Sequence, residues 1–569
     1  MRFAPLSHFF PALLLAQSFL LAQPADLILD NGKFVTVERS GPAVVQAVAV
    51  RDGRIVALGT RADVVRKHKG PNTTILDLNG ALAIPGFIEG HGHFTGLGAF
   101  KRSLNLRNAK NWNEIVAMVG AAAKEARPGQ WIIGRGFHQS KWDAPPVPNV
   151  QGFPTHDDLS KASPNNPVIL AHASGHATMV NAKALEMAGI NKDTKDPEGG
   201  EILRDSNGNA TGLLNERAQG LTRRAYSEYL AKRTPAEVEA DDKLEVNLAA
   251  RECLQKGITS FQDAGSSFRT VSFVKKLAES GELPLRLWMM LNMPVEDLEV
   301  DGAKYRWIGA GNGHLTVRAI KRAADGALGP RGAWLLEPYA DLPSRSGMNT
   351  ESIANMEKTA EWAINNGFQL CIHAIGDRGN REVLDIFERT FQKHPDKKNL
   401  RWRVEHAQHL SAQDIPRFGK LGVVAAMQGV HCTSDAPYVL ARLGAKRAEE
   451  GAYVWRKLLD SGAVIANGTD APVEDVDPLP SFYASVSRKL ADGTRFFPAQ
   501  NMTRMEALRS YTLDAAYAAF EEQEKGSLKV GKYADITVLS KDILTIPEDD
   551  ILKTEVLYTI VGGKVQYKR

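Results

Sequence analysis

Ile84-Pro-Gly-Phe-Ile-Glu-Gly-His-Gly-His93 is an apolar run that ends in two histidines. On a strand, residues i and i+2 point to the same side, so His91 and His93 can share one metal ion. Three later runs repeat the form. Leu370-Cys-Ile-His373 leads into Ala-Ile-Gly-Asp377, Trp402-Arg-Val-Glu-His406 into Ala-Gln-His409, and Val464-Ile-Ala-Asn-Gly-Thr-Asp470 into Ala-Pro-Val-Glu474. Each is a strand that delivers a His or an Asp at its C-terminal end. In a (β/α)8 TIM barrel those ends converge on the face where active sites sit. The spacing agrees. His373 and His406 lie 33 residues apart, one βα unit, and His406 and Asp470 lie 64 apart, two units with a further strand over 423–428 between them.

The middle of the chain alternates apolar strands with helices, which predicts an α/β fold. Ten strand candidates end near His93, Phe137, His176, Asp263, Asn292, Asp325, His373, His406, Gln428 and Asp470. A barrel needs eight. Two of the ten fall between about 100 and 245, around the proline-rich Asp143-Ala-Pro-Pro-Val-Pro, so that stretch is expected to be an insertion after barrel strand 1. Within it, 199–212 reads as a hairpin. Thr234-Pro-Ala-Glu237 and Thr503-Arg-Met-Glu506 have the form of capping boxes that start helices.

The two ends differ in texture. Asp26-Leu-Ile-Leu-Asp30 and Lys33-Phe-Val-Thr-Val37 flank Asn31-Gly32, and Ala47-Val-Ala-Val50 and Arg54-Ile-Val-Ala-Leu58 flank Asp52-Gly53. Both pairs carry the short-range hairpin signal. Short strands return at Tyr533–Leu539 and Val556–Val561, before Gly562-Gly563. One small β-sandwich built from residues 23–82 and 525–569 is expected, with the barrel over 83–524. Residues 1–22 have a short basic start, an apolar run and small residues near Ala22, the form of a secretory signal. That predicts a periplasmic or secreted protein with no stable membrane association after processing.

Composition excludes several classes. Hydrophobic residues at 43% and charged residues at 24% are soluble-globular values, which argues against disorder or a polytopic membrane protein. The 70 basic and 66 acidic residues nearly cancel, so there is no nucleic-acid footprint. Cys253, Cys371 and Cys432 form neither a C-x-x-C nor a disulfide framework. No G-x-S-x-G elbow or phosphate-binding loop is present. Homo-oligomer formation is left open by the sequence.

Four imidazoles and one carboxylate on converging strand ends point to a metal site. Such ligands suit Zn²⁺, with Mn²⁺, Fe²⁺ or Co²⁺ as alternatives. Softer candidates for substrate contact are His138, His172 and His176 in the insertion and His431 just beyond strand seven.

These motifs resemble the amidohydrolase superfamily of metal-dependent hydrolases, and more closely the YtcJ-like branch that includes N-substituted formamide deformylases. The matching stretches are Leu82–His93, Lys321-Arg-Ala-Ala-Asp-Gly-Ala-Leu-Gly329, His373–Asp377, Glu405-His-Ala-Gln408, Thr469-Asp-Ala-Pro472 and Gly526–Val538. The resemblance implies one or two divalent ions. His91, His93 and Asp470 would hold one and His373 and His406 the second. Lys321, counted onto barrel strand four, would bridge them as an N6-carboxylated lysine. Asp470 would also move the proton when metal-activated water cleaves a non-peptide C–N bond of a small amide-type substrate. An esterase, lactonase or cyclic-amide hydrolase on the same scaffold is the first alternative, and an exported non-catalytic metal-binding or regulatory protein the second. Arg322 departs from the apolar residue expected at its position, and its side chain is expected to point away from the barrel interior.

Overall fold

The computed structural model describes residues 23–569 apart from 39, 42, 140–141, 173–176, 198–199 and 330. The expected signal (1–22) and His176 therefore lie outside the described residues.

The central element is a parallel sheet of eight strands: β1 (Phe87–Gly92), β2 (Ile258–Ser266), β3 (Arg286–Leu291), β4 (Leu315–Ala323), β5 (Gln369–Ala374), β6 (Arg403–His406), β7 (Val424–Gln428) and β8 (Ile465–Gly468). They pair in chain order from β1 to β8, a (β/α)8 arrangement. The ring closes where the first and last strands end. Asp470 donates its backbone N–H to His91 O at 2.8 Å, and His93 donates to Ala471 O at 2.7 Å. This closure depends on glycine: a Cβ on Gly90 would lie 2.4 Å from Asn467 O, and one on Gly468 would lie 2.6 Å from His91 N. At the opposite end residues 513–520 cross the barrel, with Gln262 Nε2 bonded to Ala515 O and Gln369 Nε2 to Ala518 O.

The segment between β1 and β2 enters through helix Phe94–Arg102 and leaves through helix Pro235–Gln255. The two helices cross so closely that a Cβ on Gly98 would sit 2.1 Å from Glu245 O. Between them lies a mixed six-stranded sheet with apolar clusters on both faces, one around Trp112, Phe137 and Leu170 and one around Trp131, Ile169 and Leu214. The expected hairpin is present as Gly200–Arg204 against Ala210–Glu216. Both capping boxes form, Thr234 with Glu237 and Thr503 with Glu506.

The chain ends build two sheets. One holds Leu27–Asp30, Ala47–Arg51, Arg54–Gly59 and Thr74–Asp77. The other holds Lys33–Val35, Val44–Val45 and Leu82–Pro85 with the C-terminal strands Ile536–Leu539, Val556–Val561 and Lys564–Lys568. Asp52-Gly53 makes the expected hairpin. Asn31-Gly32 does not, which corrects the sequence reading. Its flanking strands belong to different sheets, and the pair is the corner where the chain crosses between them. Local polar bonds hold that corner instead of a ladder: Asn31 Nδ2 donates to Asp77 Oδ1 at 2.8 Å, and Gly32 N–H to Gln46 O at 3.3 Å. The sandwich is fixed to the barrel by the buried pair Arg286–Asp535, with bonds of 2.7 and 3.1 Å, and by Thr559 Oγ1 on Leu254 O at 2.6 Å. Among the described residues no helix is long and apolar enough to cross a membrane.

Candidate metal centre

His91, His93, His373, His406 and Asp470 arrive at one end of the barrel. His93 Nε2 lies 3.2 Å from Asp470 Oδ1 and His91 Nε2 lies 3.5 Å from it. One potential ligand atom from each of these three residues falls within 4.8 Å of the other two. The His406 ring stands 4.6 Å from that of His91 and 4.3 Å from that of His373, centroid to centroid. Lys321 on β4, His373, His406, His93 and Asp470 line a single cavity of about 620 Å³. Its wall also includes Asn292, Arg322, Glu351, Gln408, His431, Asp435, Tyr438 and Glu474.

The backbone is strained where it delivers two of these groups. His406 has φ of 75° and Asp470 has φ of 56°. Non-glycine residues enter this region at a cost, and such strain clusters at functional sites. At Asp470 the surroundings hold it in place: Glu89 Oε1 accepts the Thr469 N–H at 2.6 Å, and Asp470 O accepts the Val473 N–H at 2.8 Å.

Hydrogen bonds decide which ring nitrogens are bare. His91 Nδ1 bonds the Glu405 carboxylate, which leaves the Nε2 lone pair facing Asp470. His406 Nδ1 meets Gln428 Oε1 at 2.8 Å, and the Gln428 amide nitrogen bonds Ala426 O, which fixes that amide's orientation. His406 Nε2 is therefore bare too. Burial holds His91 down to about 4 and His373 to about 3, so both imidazoles are neutral at physiological pH, the form that ligates metals. Burial alone would raise the Asp470 carboxyl, but His93 and His91 pull it well below the usual carboxylate range.

The buried polar atoms of the donor set show what it can hold. His91 Nε2, His373 Nε2 and Asp470 Oδ1 are all buried without a hydrogen-bond partner. Each such atom costs free energy unless something satisfies it. The His91 Nε2 lone pair and the anionic Asp470 Oδ1 face each other with His93 Nε2 beside them, which suits a divalent cation, so these three residues fit the group. His373 Nε2 lies 3.5 Å from Asp325 Oδ1.

Lys321 is buried, and burial lowers its amine below the usual lysine value. Among the described residues no carboxylate lies within ion-pair distance of it. Asp325, four residues on, accepts three backbone N–H groups, from Trp334, Ile375 and Gly376, at 2.8–2.9 Å. Arg322 reaches Thr359 Oγ1 on helix Ile353–Asn365 at 3.2 Å and Glu351 at 3.3 Å, away from the barrel axis as expected.

The softer candidates divide. His431 lines the cavity. His138 and His172 do not: their rings face each other at 4.6 Å inside the insertion, and His172 Nε2 bonds Gln139 Oε1 at 3.0 Å. Sequence reading passed over Arg403 and Gln262. Arg403 donates to Glu405 at 2.7 and 3.0 Å, to Gly90 O at 2.7 Å and to Gln262 Oε1 at 2.5 Å, all fully buried behind His91. The signal was available: Arg403 and Glu405 are spaced i, i+2 on an otherwise apolar strand, so both face the barrel interior.

Comparison with known proteins places the chain among hydrolases. The amidohydrolase family matches residues 74–567. The chain is 31% identical to YtcJ of Bacillus subtilis across 92% of its own length and 96% of that protein's. It is 28% identical to the N-substituted formamide deformylase of Arthrobacter pascens across 96% and 99%. An uncharacterized metal-dependent hydrolase from Pyrococcus horikoshii OT3 superposes with a TM-score of 0.75 at 25% identity, covering 92% of this chain and 99% of that one.

Proposed function

The chain belongs to the amidohydrolase family, and on that premise we infer that it is a metal-dependent hydrolase of a non-peptide, amide-type C–N bond in a small molecule. The observation that carries the reading is the convergence of ligand atoms from His91, His93 and Asp470, within 4.8 Å of one another, beside a cavity of about 620 Å³ that Lys321, His373 and His406 also line. His91, His93 and Asp470 would hold one divalent ion, Zn²⁺ first among candidates. His373 and His406 would hold a second, with Lys321 as a carbamate between them. A bound ion of this kind lowers the pKa of water toward neutrality and polarises a carbonyl.

The chain's own groups then have distinct tasks. Glu405 and Gln428 fix the ring tautomers of His91 and His406, which keeps both Nε2 lone pairs available. Asp470 Oδ1 faces His91 and His93 at the end of β1, so Oδ2 is the atom that takes the proton from attacking water and returns it to the leaving nitrogen. The cavity wall holds the acyl group against the site. Burial keeps more of the Lys321 amine in the neutral form that reacts with CO₂.

The deciding experiment is hydrolysis of N-formyl amides, N-acyl amino acids and p-nitrophenyl acetate by the zinc-loaded protein, before and after chelation. Amide turnover that chelation abolishes is expected. Ester turnover without amide turnover would move the assignment to an esterase or lactonase. Tight metal with no turnover would make the chain a binding protein.

A further inference from the structure

Helix His431–Leu443 starts three residues after β7 and presents His431, Asp435 and Tyr438, spaced i, i+4 and i+7, to the cavity. Asp435 is already satisfied by the hydroxyls of Tyr453 and Tyr438. His431 is not. It is 6% exposed, its Nδ1 lies 3.0 Å from Gln408 Nε2, and its Nε2 is buried without a partner. The ring is nearly parallel to that of His406, 6.5 Å away, so it is the next ring outward from the proposed ligands.

The amide beside His431 has the opposite sense to the partners of His91 and His406. Glu405 and Gln428 present oxygen to Nδ1, so the proton sits on Nδ1 and Nε2 is bare. Gln408 presents its N–H₂ to His431 Nδ1, which must accept, so in the neutral ring the proton sits on Nε2. A ring in that tautomer cannot ligate a metal through Nε2, but it can donate a hydrogen bond from the cavity wall.

We propose that His431 is a catalytic residue of this site, donating its Nε2–H to the oxygen of the scissile carbonyl and to the oxyanion that this oxygen becomes. The proposal rests on the amide-hydrolase reading above. Water oxygen bonds the carbonyl carbon, its proton passes to Asp470, and the π pair moves onto the oxygen that His431 holds. Collapse returns that pair and breaks the C–N bond, and nitrogen takes the proton from Asp470. The products are a carboxylic acid and an amine. A donor placed beforehand stabilises the charge where it develops, at no cost of reorganisation during reaction.

The test compares wild type, His431→Ala and His431→Gln, the last of which keeps an N–H at similar reach. Three quantities are read on zinc-loaded protein: metal content, kinetics on p-nitroacetanilide and affinity for methylphosphonate, a tetrahedral oxyanion. The Ala variant should keep its metal and its thermal midpoint, and its kcat should fall about 10²–10³-fold, the loss typical of one oxyanion donor, with little change in KM. Its methylphosphonate affinity should fall about tenfold, as for the loss of one charge-assisted hydrogen bond. The Gln variant should regain part of both. Ala-variant turnover and methylphosphonate affinity at wild-type level would overturn the proposal, and loss of metal from that variant would make His431 a ligand instead. A metal-loaded wild type that neither turns over the anilide nor binds methylphosphonate overturns the amide reading, and this proposal with it.

Discussion

Glu405 grips His91 from behind: its carboxylate bonds Nδ1, on the side of the ring away from Asp470. Burial would raise this carboxyl, but Arg403 and His91 hold it down to about 2, so it is an anion at any working pH. An anion there makes His91 a stronger ligand and locks its ring. Glu405→Gln keeps the shape and removes the charge. Zinc affinity, measured by competition with a chromophoric chelator, should weaken about 10–100-fold. Arg403 would also lose its counter-charge in a fully buried position, so the denaturation midpoint should drop. Unchanged affinity would mean that the Glu405 charge does not tune the metal.

Lys321 is the residue whose chemistry is least visible in a sequence. If it becomes a carbamate between two ions, Lys321→Ala should lower metal content toward one ion per chain or none. Short carboxylic acids added to the variant should restore part of the rate by supplying the missing oxygens. ¹³C-labelled bicarbonate should give a carbamate resonance in wild type that is absent from the variant. Wild-type metal content and rate in Lys321→Ala would leave the lysine structural.

The strand ends were legible because a barrel turns a linear pattern into a point. An apolar run closing on His or Asp needs only strand parity and the fold rule to be placed, and β1, β5, β6 and β8 all obeyed it. The corner at Asn31-Gly32 was misread because the same dipeptide serves a hairpin or a crossing between sheets. The choice depends on partners at Gln46 and Asp77, remote in the chain. The His431 tautomer was out of reach for the same reason: it depends on Gln408, whose side-chain direction is a tertiary fact. His138 and His172 show the reverse, titratable residues in a presumed pocket segment that spend their rings on each other.

The sandwich is held to the barrel by a charge pair, which makes the attachment sensitive to acid. Burial opposes ionisation of Asp535, yet Arg286 keeps its carboxyl below the ordinary value. A depressed folded-state pKa means that the stabilisation is present above the unfolded value near 3.9 and is lost as pH falls through the folded one. Denaturant midpoints between pH 7 and 3 should therefore decline most steeply below about pH 4. Asp535→Asn leaves Arg286 buried and unpaired, which costs about 3–5 kcal/mol. The variant should lose that stability already at pH 7 and show a flatter acid limb. An acid limb as steep as wild type would place the sensitivity at another carboxylate.

Asp470 separates ligation from proton transfer most cleanly. Its φ of 56° is one that Asn tolerates better than most residues, so Asp470→Asn should keep the backbone and the bonds at Thr469 and Val473. Asn also retains an oxygen that can face His91 and His93. It cannot accept the proton that Oδ2 is asked to carry. Positioned proton transfer contributes about 10²–10⁴-fold, so kcat should fall at least that far, and further if metal is lost as well. His373→Asn should behave differently. It removes a lone pair from the second-ion site, so metal content should drop and excess zinc should recover part of the rate. Measuring metal and kcat together on both variants tells the two roles apart. An Asp470→Asn enzyme within about tenfold of wild type would mean that another group shuttles the proton. Glu474 on the cavity wall would be the first to replace in that case. Glu405 is a poor second, since Arg403 and His91 already occupy its carboxylate.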